Sequence, residues 1–251
     1  MRLARIATPD GPRDVVERDG AWREIRSMFD RTPFETGESH PLDGVTLLSP
    51  VEPRVVLGML HNTGAADREL PPQAFQKTAR TVVGPGDPIL IDPRRGVVKG
   101  EGELALVVRK EARDVDLDRA ADFILGWTIG NDVTAVDQIP FDDKMTQAKN
   151  GDGFTPLGPW IETDLDALDA AIAVTVDGES AAGGSSADLA RSAAEVLVYV
   201  TSHLTLGAGD VILTGAPNTA CVIQPGNEMA ITIPGIGTLT NPVRAREVRA
   251  R

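Results

Sequence analysis

Two glutamates lie two positions apart at the start of an apolar run, in the stretch Lys99-Gly100-Glu101-Gly102-Glu103-Leu104-Ala105-Leu106-Val107-Val108. Side chains two positions apart in a β-strand point to the same face, so an extended chain would project Glu101 and Glu103 side by side. Adjacent carboxylates repel each other, and a divalent cation relieves that repulsion. The spacing alone leaves two interpretations open: a cation site, or two solvated carboxylates at the end of a strand.

A third carboxylate, Asp132, ends a second apolar run at residues 125–131. Together with Glu101 and Glu103 it would form a ligand set made only of oxygens, without cysteine or paired histidines. Such a set suits Mg²⁺, Mn²⁺ or Ca²⁺ and does not suit Zn²⁺. The alternative interpretation is that Asp132 only caps a turn.

The elements that must position these residues are short. Glycine (25 residues) and proline (18 residues) are frequent and aromatic residues make up only 4%, which favours short elements joined by tight turns. Apolar runs predict strands at residues 54–59, 89–91, 103–108 and 211–213, two further strands within 229–239, a helix over 192–204 and a helix leading into a strand over 120–132. Alternating apolar residues before Asp177-Gly178 predict a hairpin turn. In the small region 1–50 we expect a strand at 3–6 and a short helix at 21–29.

Charge and composition exclude several classes of function. The 251 residues carry 25 basic and 37 acidic side chains, a formal net charge of −12, which repels nucleic acids and acidic membranes. No apolar run approaches the roughly 18 residues of a spanning helix, and no apolar block follows the basic N-terminal residues as in a signal peptide. The single cysteine, Cys221, excludes an internal disulfide. We therefore expect a soluble, cytoplasmic protein that binds neither nucleic acid nor membranes.

Six stretches, taken in order, resemble the fumarylacetoacetate hydrolase family: residues 83–89, 100–108, 126–135, 156–160, 206–215 and 235–241. The resemblance extends over residues 54–246. It implies a β-rich α+β fold, with a mixed β-roll/β-sandwich catalytic domain of the fumarylacetoacetase C-terminal type at residues 51–251 and a small N-terminal appendage at residues 1–50. It also implies a homodimer, and dimerisation is one way for a β-rich domain to cover its sheet edges.

The resemblance also implies roles for individual residues. It assigns a divalent metal, Mg²⁺ or Mn²⁺ with Ca²⁺ as an alternative, to Glu101, Glu103 and Asp132. It places the family's loop lysine on Lys149, which would pair with a carboxylate or hold a substrate oxyanion. Without the resemblance, Lys149 would be interpreted as an exposed loop residue. Asp152 in the same loop, and Thr214 in the motif Thr214-Gly215-Ala216-Pro217, are the further candidates for substrate binding.

The sequence departs from the family pattern at the catalytic histidine. The family's histidine–glutamate dyad falls on Gly64 and Asp67, while His61 lies three residues earlier. In such a dyad the histidine accepts a proton from water and the carboxylate orients the ring, so His61 and Asp67 are the candidate catalytic pair. The family's arginine and the second threonine of its Thr-Gly-Thr-Pro motif are Val136 and Ala216 here.

The resemblance implies a metal-dependent enzyme that acts on a small anionic substrate, a 2-oxo acid or an acylpyruvate-like β-dicarbonyl compound. A metal acts there as a Lewis acid and lowers the free energy of the enolate formed when a bond is cleaved. Our leading prediction is hydrolysis of a C–C bond. The alternatives are decarboxylation or enol–keto isomerisation of a 2-oxo dicarboxylic acid, and a non-catalytic protein that binds small acids on the same fold.

Overall fold

The structure is a computed structural model that describes residues 1–247, which form eighteen β-strands and two α-helices. The strands are β1 (Arg2–Thr8), β2 (Gly11–Arg18), β3 (Ala21–Ile25), β4 (Glu35–Pro41), β5 (Val56–Leu60), β6 (Gln73–Lys77), β7 (Val82–Val83), β8 (Ile89–Ile91), β9 (Val98–Val108), β10 (Ile124–Asn131), β11 (Thr134–Ala135), β12 (Thr155–Glu162), β13 (Ala171–Val176), β14 (Glu179–Ser185), β15 (Val211–Leu213), β16 (Ala220–Ile223), β17 (Glu228–Ile233) and β18 (Gly237–Ala245).

The helical segments are few and short. The α-helices are α1 (Thr146–Lys149) and α2 (Ala193–His203). The 3₁₀ turns are Ala65–Glu69, Ala79–Thr81, Pro93–Arg95, Leu117–Phe123, Val136–Phe141 and Ser186–Asp188. Within residues 1–247, no helix is both long and apolar enough to span a bilayer.

The strands form two sheets. The larger one has 13 strands in the order β4-β3-β2-β1-β12-β10-β9-β15-β5-β6, with β11 and β16 attached to β9 and β7 attached to β12. The smaller one has five strands in the order β14-β13-β17-β18-β8. This β-rich α+β architecture confirms the predicted fold class. The hairpin at Asp177-Gly178 and the helix at 192–204 are also confirmed, as β13–β14 and α2.

Strand β9 lies at the centre of the larger sheet and pairs with β10, β11, β15 and β16. Its glycines face the smaller sheet, because a Cβ on Gly100 would lie 2.2 Å from Sδ of Met229 and one on Gly102 would lie 2.9 Å from Cγ2 of Val174. The two sheets therefore approach each other closely at these glycines. Since side chains alternate along a strand, Glu101 and Glu103 point away from the smaller sheet.

The N-terminal region extends the larger sheet through pairing of β1 with β12, in the register Leu3 with Ile161. The short helix expected at residues 21–29 is wrong, because residues 21–25 form β3. The physical reason is the two-residue turn Asp19-Gly20, whose φ angles of 53° and 72° suit a tight hairpin between β2 and β3. The division of the chain at residue 50 stays a prediction.

Asp210, which directly precedes β15, fixes the start of β5. Its buried Oδ1 accepts hydrogen bonds from the backbone amides of Arg54 (3.0 Å) and Val55 (2.8 Å), and its Oδ2 accepts one from Gly207 (2.7 Å). This contact holds β5 parallel to β15, from Val56 beside Val211 onward. Strand β5 leads directly to His61.

Replacing Asp210 with Ala should lower the free energy of unfolding by about 2–4 kcal/mol, because three backbone amides lose their acceptor and each buried unpaired donor is costly. Urea denaturation measures the change. Asp143→Ala, at an exposed position, is the matched control and should lie within about 0.5 kcal/mol of the wild type. Equal stabilities for the two variants would show that Asp210 does not hold β5.

Candidate metal centre and active site

The three predicted carboxylates meet at one point. Glu101 and Glu103 project from β9, and Asp132 follows the last residue of β10, where its amide donates to the carbonyl of Glu101 at 2.9 Å. One oxygen from each residue lies within 4.8 Å of the other two. Glu103 and Asp132 are each only 2% exposed, and Glu101 is half-buried. The antiparallel pairing of β9 with β10 therefore assembles a candidate divalent-metal centre.

Two lysines contact this carboxylate cluster. Nζ of Lys149 lies 2.5 Å from Oδ2 of Asp132 and 3.1 Å from Oε2 of Glu101. Nζ of Lys77 lies 2.5 Å from Oδ1 of Asp132 and 3.3 Å from the carbonyl of Val133. The resemblance indicated Lys149, whereas Lys77, which is fully buried at the end of β6, was missed. Its one local signal is the spacing Phe75-x-Lys77, which places the lysine on the buried face of the strand.

The electrostatics of the cluster depend on burial and on the opposed charges. Burial raises the pKa of Asp132, but the nearby charges of Lys149 and Lys77 outweigh that effect and its pKa is lowered. Burial likewise disfavours the Lys149 ammonium, yet the charges of Asp132 and Glu101 outweigh it and raise the pKa of Lys149. The Asp132–Lys149 pair is therefore charged.

The two glutamates behave in the opposite way. Burial, and then the charges of Asp132 and Glu101, raise the pKa of Glu103 well above its ordinary value. Burial also raises the pKa of Glu101, although Lys149 opposes the effect. Burial also lowers the pKa of Lys77, although the charge of Asp132 opposes that effect. Three carboxylates thus face two lysine side chains, and burial together with repulsion between the carboxylates favours binding of a proton or a cation at the glutamates.

The unpaired oxygens of this cluster fit a hard divalent cation. Oε2 of Glu103 accepts the amide of Gly215 at 2.6 Å, and Oε2 of Glu101 accepts from Lys149 and from Oγ1 of Thr134. No donor from residues 1–247 hydrogen-bonds to the other oxygen, Oε1, of either glutamate. Carboxylate oxygens of this kind are the ligands that Mg²⁺, Mn²⁺ and Ca²⁺ prefer. Glu101 and Glu103 would therefore each offer a free oxygen to the ion, and Asp132, whose oxygens are each paired with a lysine, would complete the set through a remaining lone pair.

The cluster lies in a cavity of about 340 Å³. Besides the three carboxylates and Lys149, its walls carry four polar side chains and a larger number of apolar ones. They are His61, Thr63, Thr134, Asn218, Met59, Leu60, Phe75, Ile139, Met145, Ala216 and Ala220. The cavity therefore combines a charged end with walls that are mostly hydrocarbon.

The structure brings His61 to the cavity but not Asp67. Nδ1 of His61 lies 3.3 Å from the carbonyl oxygen of Pro71, which can only accept, so this contact favours the tautomer with the proton on Nδ1 and a lone pair on Nε2. Asp67 instead closes an exposed turn, where its Oδ2 accepts from the amide (2.8 Å) and the hydroxyl (2.9 Å) of Thr63. The hydrogen bond from the Thr63 amide lowers the pKa of Asp67. No hydrogen bond joins Asp67 to the ring of His61.

Asp152 and Thr214, the other predicted substrate-binding residues, do not line this cavity. Asp152 is exposed and lies 3.2 Å from Arg246. The buried hydroxyl of Thr214 donates to the carbonyl of Leu104 at 2.7 Å and so tethers the loop whose next amide, that of Gly215, binds Glu103. Their contact with substrate stays a prediction without geometric support.

Asp142 positions Lys149 and was also missed. Its buried carboxylate accepts the amides of Thr146 (3.0 Å), Gln147 (2.6 Å) and Ala148 (2.8 Å), which are unpaired donors at the start of α1. A helix of one turn is unstable without such a cap. The carboxylate therefore holds the turn that ends at Lys149.

Two family models match this chain. A family model described as fumarylacetoacetate (FAA) hydrolase C-terminal matches residues 55–244, and one described as Rv2993c-like, N-terminal, matches residues 1–50. The structure of a 5-carboxymethyl-2-hydroxymuconate delta-isomerase from Mycobacterium smegmatis is 41% identical, with a TM-score of 0.92 over 98% of this chain and 100% of that one.

Two further proteins are similar. A 2-hydroxyhepta-2,4-diene-1,7-dioate isomerase from Mycobacterium marinum is 38% identical in sequence, with a TM-score of 0.92 over 99% of this chain and 100% of its own. A 4-hydroxyphenylacetate degradation bifunctional isomerase/decarboxylase from Salmonella dublin is 35% identical over 70% of this chain and 41% of its own length. These three similar proteins are named as isomerases or as an isomerase/decarboxylase.

Replacing Glu103 with Gln should abolish the rise in Tm that Mg²⁺ or Mn²⁺ produces, because the ion loses a charged oxygen ligand. Without metal the variant should be at least as stable as the wild type, since the amide oxygen can still accept from Gly215 and one repelling carboxylate is gone. Thermal denaturation with and without metal measures both effects. Glu179→Gln, on the exposed side of β14, is the control. Wild-type metal affinity in Glu103→Gln would mean that the cluster is purely structural.

Replacing Lys77 with Met should lower the free energy of unfolding by about 3–5 kcal/mol in metal-free protein, because Asp132 loses one of two buried partners. Saturating Mn²⁺ should restore part of that loss, since the ion supplies positive charge to the same carboxylate. Urea denaturation at several metal concentrations measures the change, with the exposed Lys144→Met as control. If the loss is the same at every metal concentration, Lys77 contributes by packing and not by charge.

Proposed function

The chain belongs to the fumarylacetoacetate hydrolase family, and on this premise we propose that it is a divalent-metal-dependent isomerase or decarboxylase of a 2-oxo dicarboxylic acid. The observation that carries the proposal is the composition of the cavity. Its lining includes the carboxylate cluster, Lys149 and His61, but it has no carboxylate that orients the His61 ring, because Asp67 binds Thr63 instead. The similar isomerases, and the isomerase/decarboxylase, support this choice of reaction over hydrolysis. We propose Mg²⁺ or Mn²⁺ as the metal, with Glu101, Glu103 and Asp132 as its ligands.

A divalent cation held by these three residues would supply Lewis-acid chemistry to the oxygens of a 2-oxo acid. Lys149 supplies the second part of the charge stabilisation. Its ammonium has three donors, of which Glu101 and Asp132 occupy two, so one remains for a substrate oxygen. When that oxygen gains negative charge as the enolate forms, a fixed ammonium stabilises it without reorganisation.

The two reactions place different demands on His61. In decarboxylation the C–C bond breaks, CO₂ leaves, its bonding electron pair becomes the enolate, and solvent can deliver the final proton. In enol–keto isomerisation a proton must leave the enol oxygen and arrive at carbon. Nε2 of His61, which lines the cavity, is our candidate for moving that proton.

Hydrolysis of an acylpyruvate is the second candidate function, and the position of His61 beside the cavity favours it. Hydrolysis needs a base that activates water, and His61 would have to act without a carboxylate that orients its ring. Asp67 would need to leave the turn that it closes with Thr63. We therefore place hydrolysis after isomerisation and decarboxylation.

Replacing Lys149 with Met should lower every activity by about 100-fold or more, because each reaction develops charge on the same substrate oxygen. The assay follows oxaloacetate with Mg²⁺ or Mn²⁺, measuring release of CO₂ and, separately, the change in ultraviolet absorbance as the enol becomes the ketone. Lys144→Met is the control for the loss of a lysine. Normal turnover by Lys149→Met would refute the oxyanion role.

Replacing His61 with Ala should lower isomerisation by about 100- to 10,000-fold, the usual contribution of general acid–base catalysis, and leave decarboxylation within about threefold of the wild type. The same two measurements on oxaloacetate separate these effects. The control is His203→Ala, at the exposed end of α2. Unchanged isomerisation in His61→Ala would place the proton-transfer group elsewhere.

A further inference from the structure

The lysine ammonium group that lines the cavity is already paired with carboxylates. Among its lining residues, all within the described part of the chain, the basic side chains are Lys149 and His61. Lys149 is paired with Glu101 and Asp132, and Lys77, deeper in the protein, is paired with Asp132. A substrate that uses one carboxylate at the metal centre therefore needs another cation for a second carboxylate.

Lys99 does not itself line the cavity, but it lies on the same face of β9 as Glu101 and Glu103, which do. It precedes Glu101 by two residues, so the two side chains project from the same face with their Cα atoms about 6.6 Å apart. The glycine between them faces the smaller sheet, where Met229 packs against it. The side chains of Lys99, Glu101 and Glu103 thus follow one face of β9, from two half-buried residues to a buried one.

The neighbouring strand supports the same placement. Thr134 of β11 pairs directly with Lys99, and directly opposite residues project to the same face of an antiparallel pair. Thr134 lines the cavity, and its hydroxyl donates to Oε2 of Glu101 at 3.3 Å. Lys99 therefore lies beside a residue that already touches the site.

The Lys99 ammonium is available for a ligand. The side chain is half-buried, and it makes no hydrogen bond or ion pair with any of residues 1–247. Its cross-strand neighbour on the other side is Val222, an exposed apolar residue of β16. The apolar residues Ile139, Met145 and Ala220 also line the cavity, and such a wall suits the hydrocarbon middle of a substrate.

We propose that Lys99 determines specificity by binding the distal carboxylate of the substrate, so that the site selects 2-oxo dicarboxylates over 2-oxo monocarboxylates of equal length. This inference rests on the proposed function, because it requires the 2-oxo acid end to bind at the carboxylate cluster. In isomerisation the distal carboxylate is not altered, so Lys99 acts there in binding alone. Its substitution therefore changes KM for the isomerisation of a dicarboxylate and leaves kcat for that reaction nearly unchanged.

The test compares two unreactive ligands of equal chain length, 2-oxoheptanedioate and 2-oxoheptanoate, which differ only in a carboxylate or a methyl group at the far end. Calorimetry with Mn²⁺-loaded protein gives the Kd of each. The wild type should bind the dicarboxylate about 10-fold more tightly, since a hydrogen bond to a charged group contributes at least that factor. Lys99→Met should lose this preference with an unchanged Kd for 2-oxoheptanoate, whereas Lys99→Arg should retain it.

Each other outcome has a defined meaning. If Lys99→Met weakens both ligands equally, or keeps the preference for the dicarboxylate, the inference about Lys99 is overturned while the proposed function stands. If the wild type binds 2-oxoheptanoate but does not prefer the dicarboxylate, the inference fails in the same way. If the loaded wild type binds neither ligand, the proposed function fails and the inference falls with it. Lys144→Met, an exposed lysine outside the cavity lining, controls for the change in net charge.

Discussion

The carboxylate of Asp132, held between two lysine ammonium groups, is the interaction on which the rest of the site depends. Its partners come from separate parts of the chain: Lys77 ends β6, Lys149 ends α1, and Glu101 and Glu103 lie on β9. A buried charge is tolerated only when it is paired, so these elements must meet for Asp132 to be buried at all. The excess of one carboxylate over the two ammonium groups then leaves the cluster ready to accept a cation.

The chemistry that the site supports follows from which groups remain uncommitted. Lys149 keeps one donor and His61 keeps one ring nitrogen, whereas Asp67 is occupied by the turn around Thr63. The residues that would stabilise negative charge on a substrate are thus in place, whereas His61 has no carboxylate that orients its ring to activate water. That division underlies our proposal that the chain catalyses a reaction that needs only an enolate and a mobile proton.

The parts of the site that the sequence predicted are those encoded by local spacing or by family motifs. Strand alternation makes Glu101 and Glu103 neighbours, and Asp132 is a third candidate ligand at the end of its own apolar run. The family motifs decide in favour of a metal site and add Lys149. Lys77 could not be found in this way, because its burial depends on Asp132, 55 residues away. The helix expected at residues 21–29 does not form, because the turn Asp19-Gly20 pairs residues 21–25 with β2 as a strand. Asp152 and Thr214 lie in matching motifs, but their side chains turn to Arg246 and to the Leu104 carbonyl.

The alternation of glycine and glutamate along β9 also bears on how the chain reaches the correct register. A slip by one residue exchanges the two faces of a strand. In β9 such a slip would turn both carboxylates towards the smaller sheet, where an added Cβ at Gly102 already approaches Val174 and Ile231 within 3.0 Å. It would also leave two glycines where the cluster needs charge. Both effects raise the free energy of a misregistered sheet, so the residues that build the site also favour the correct register of β9.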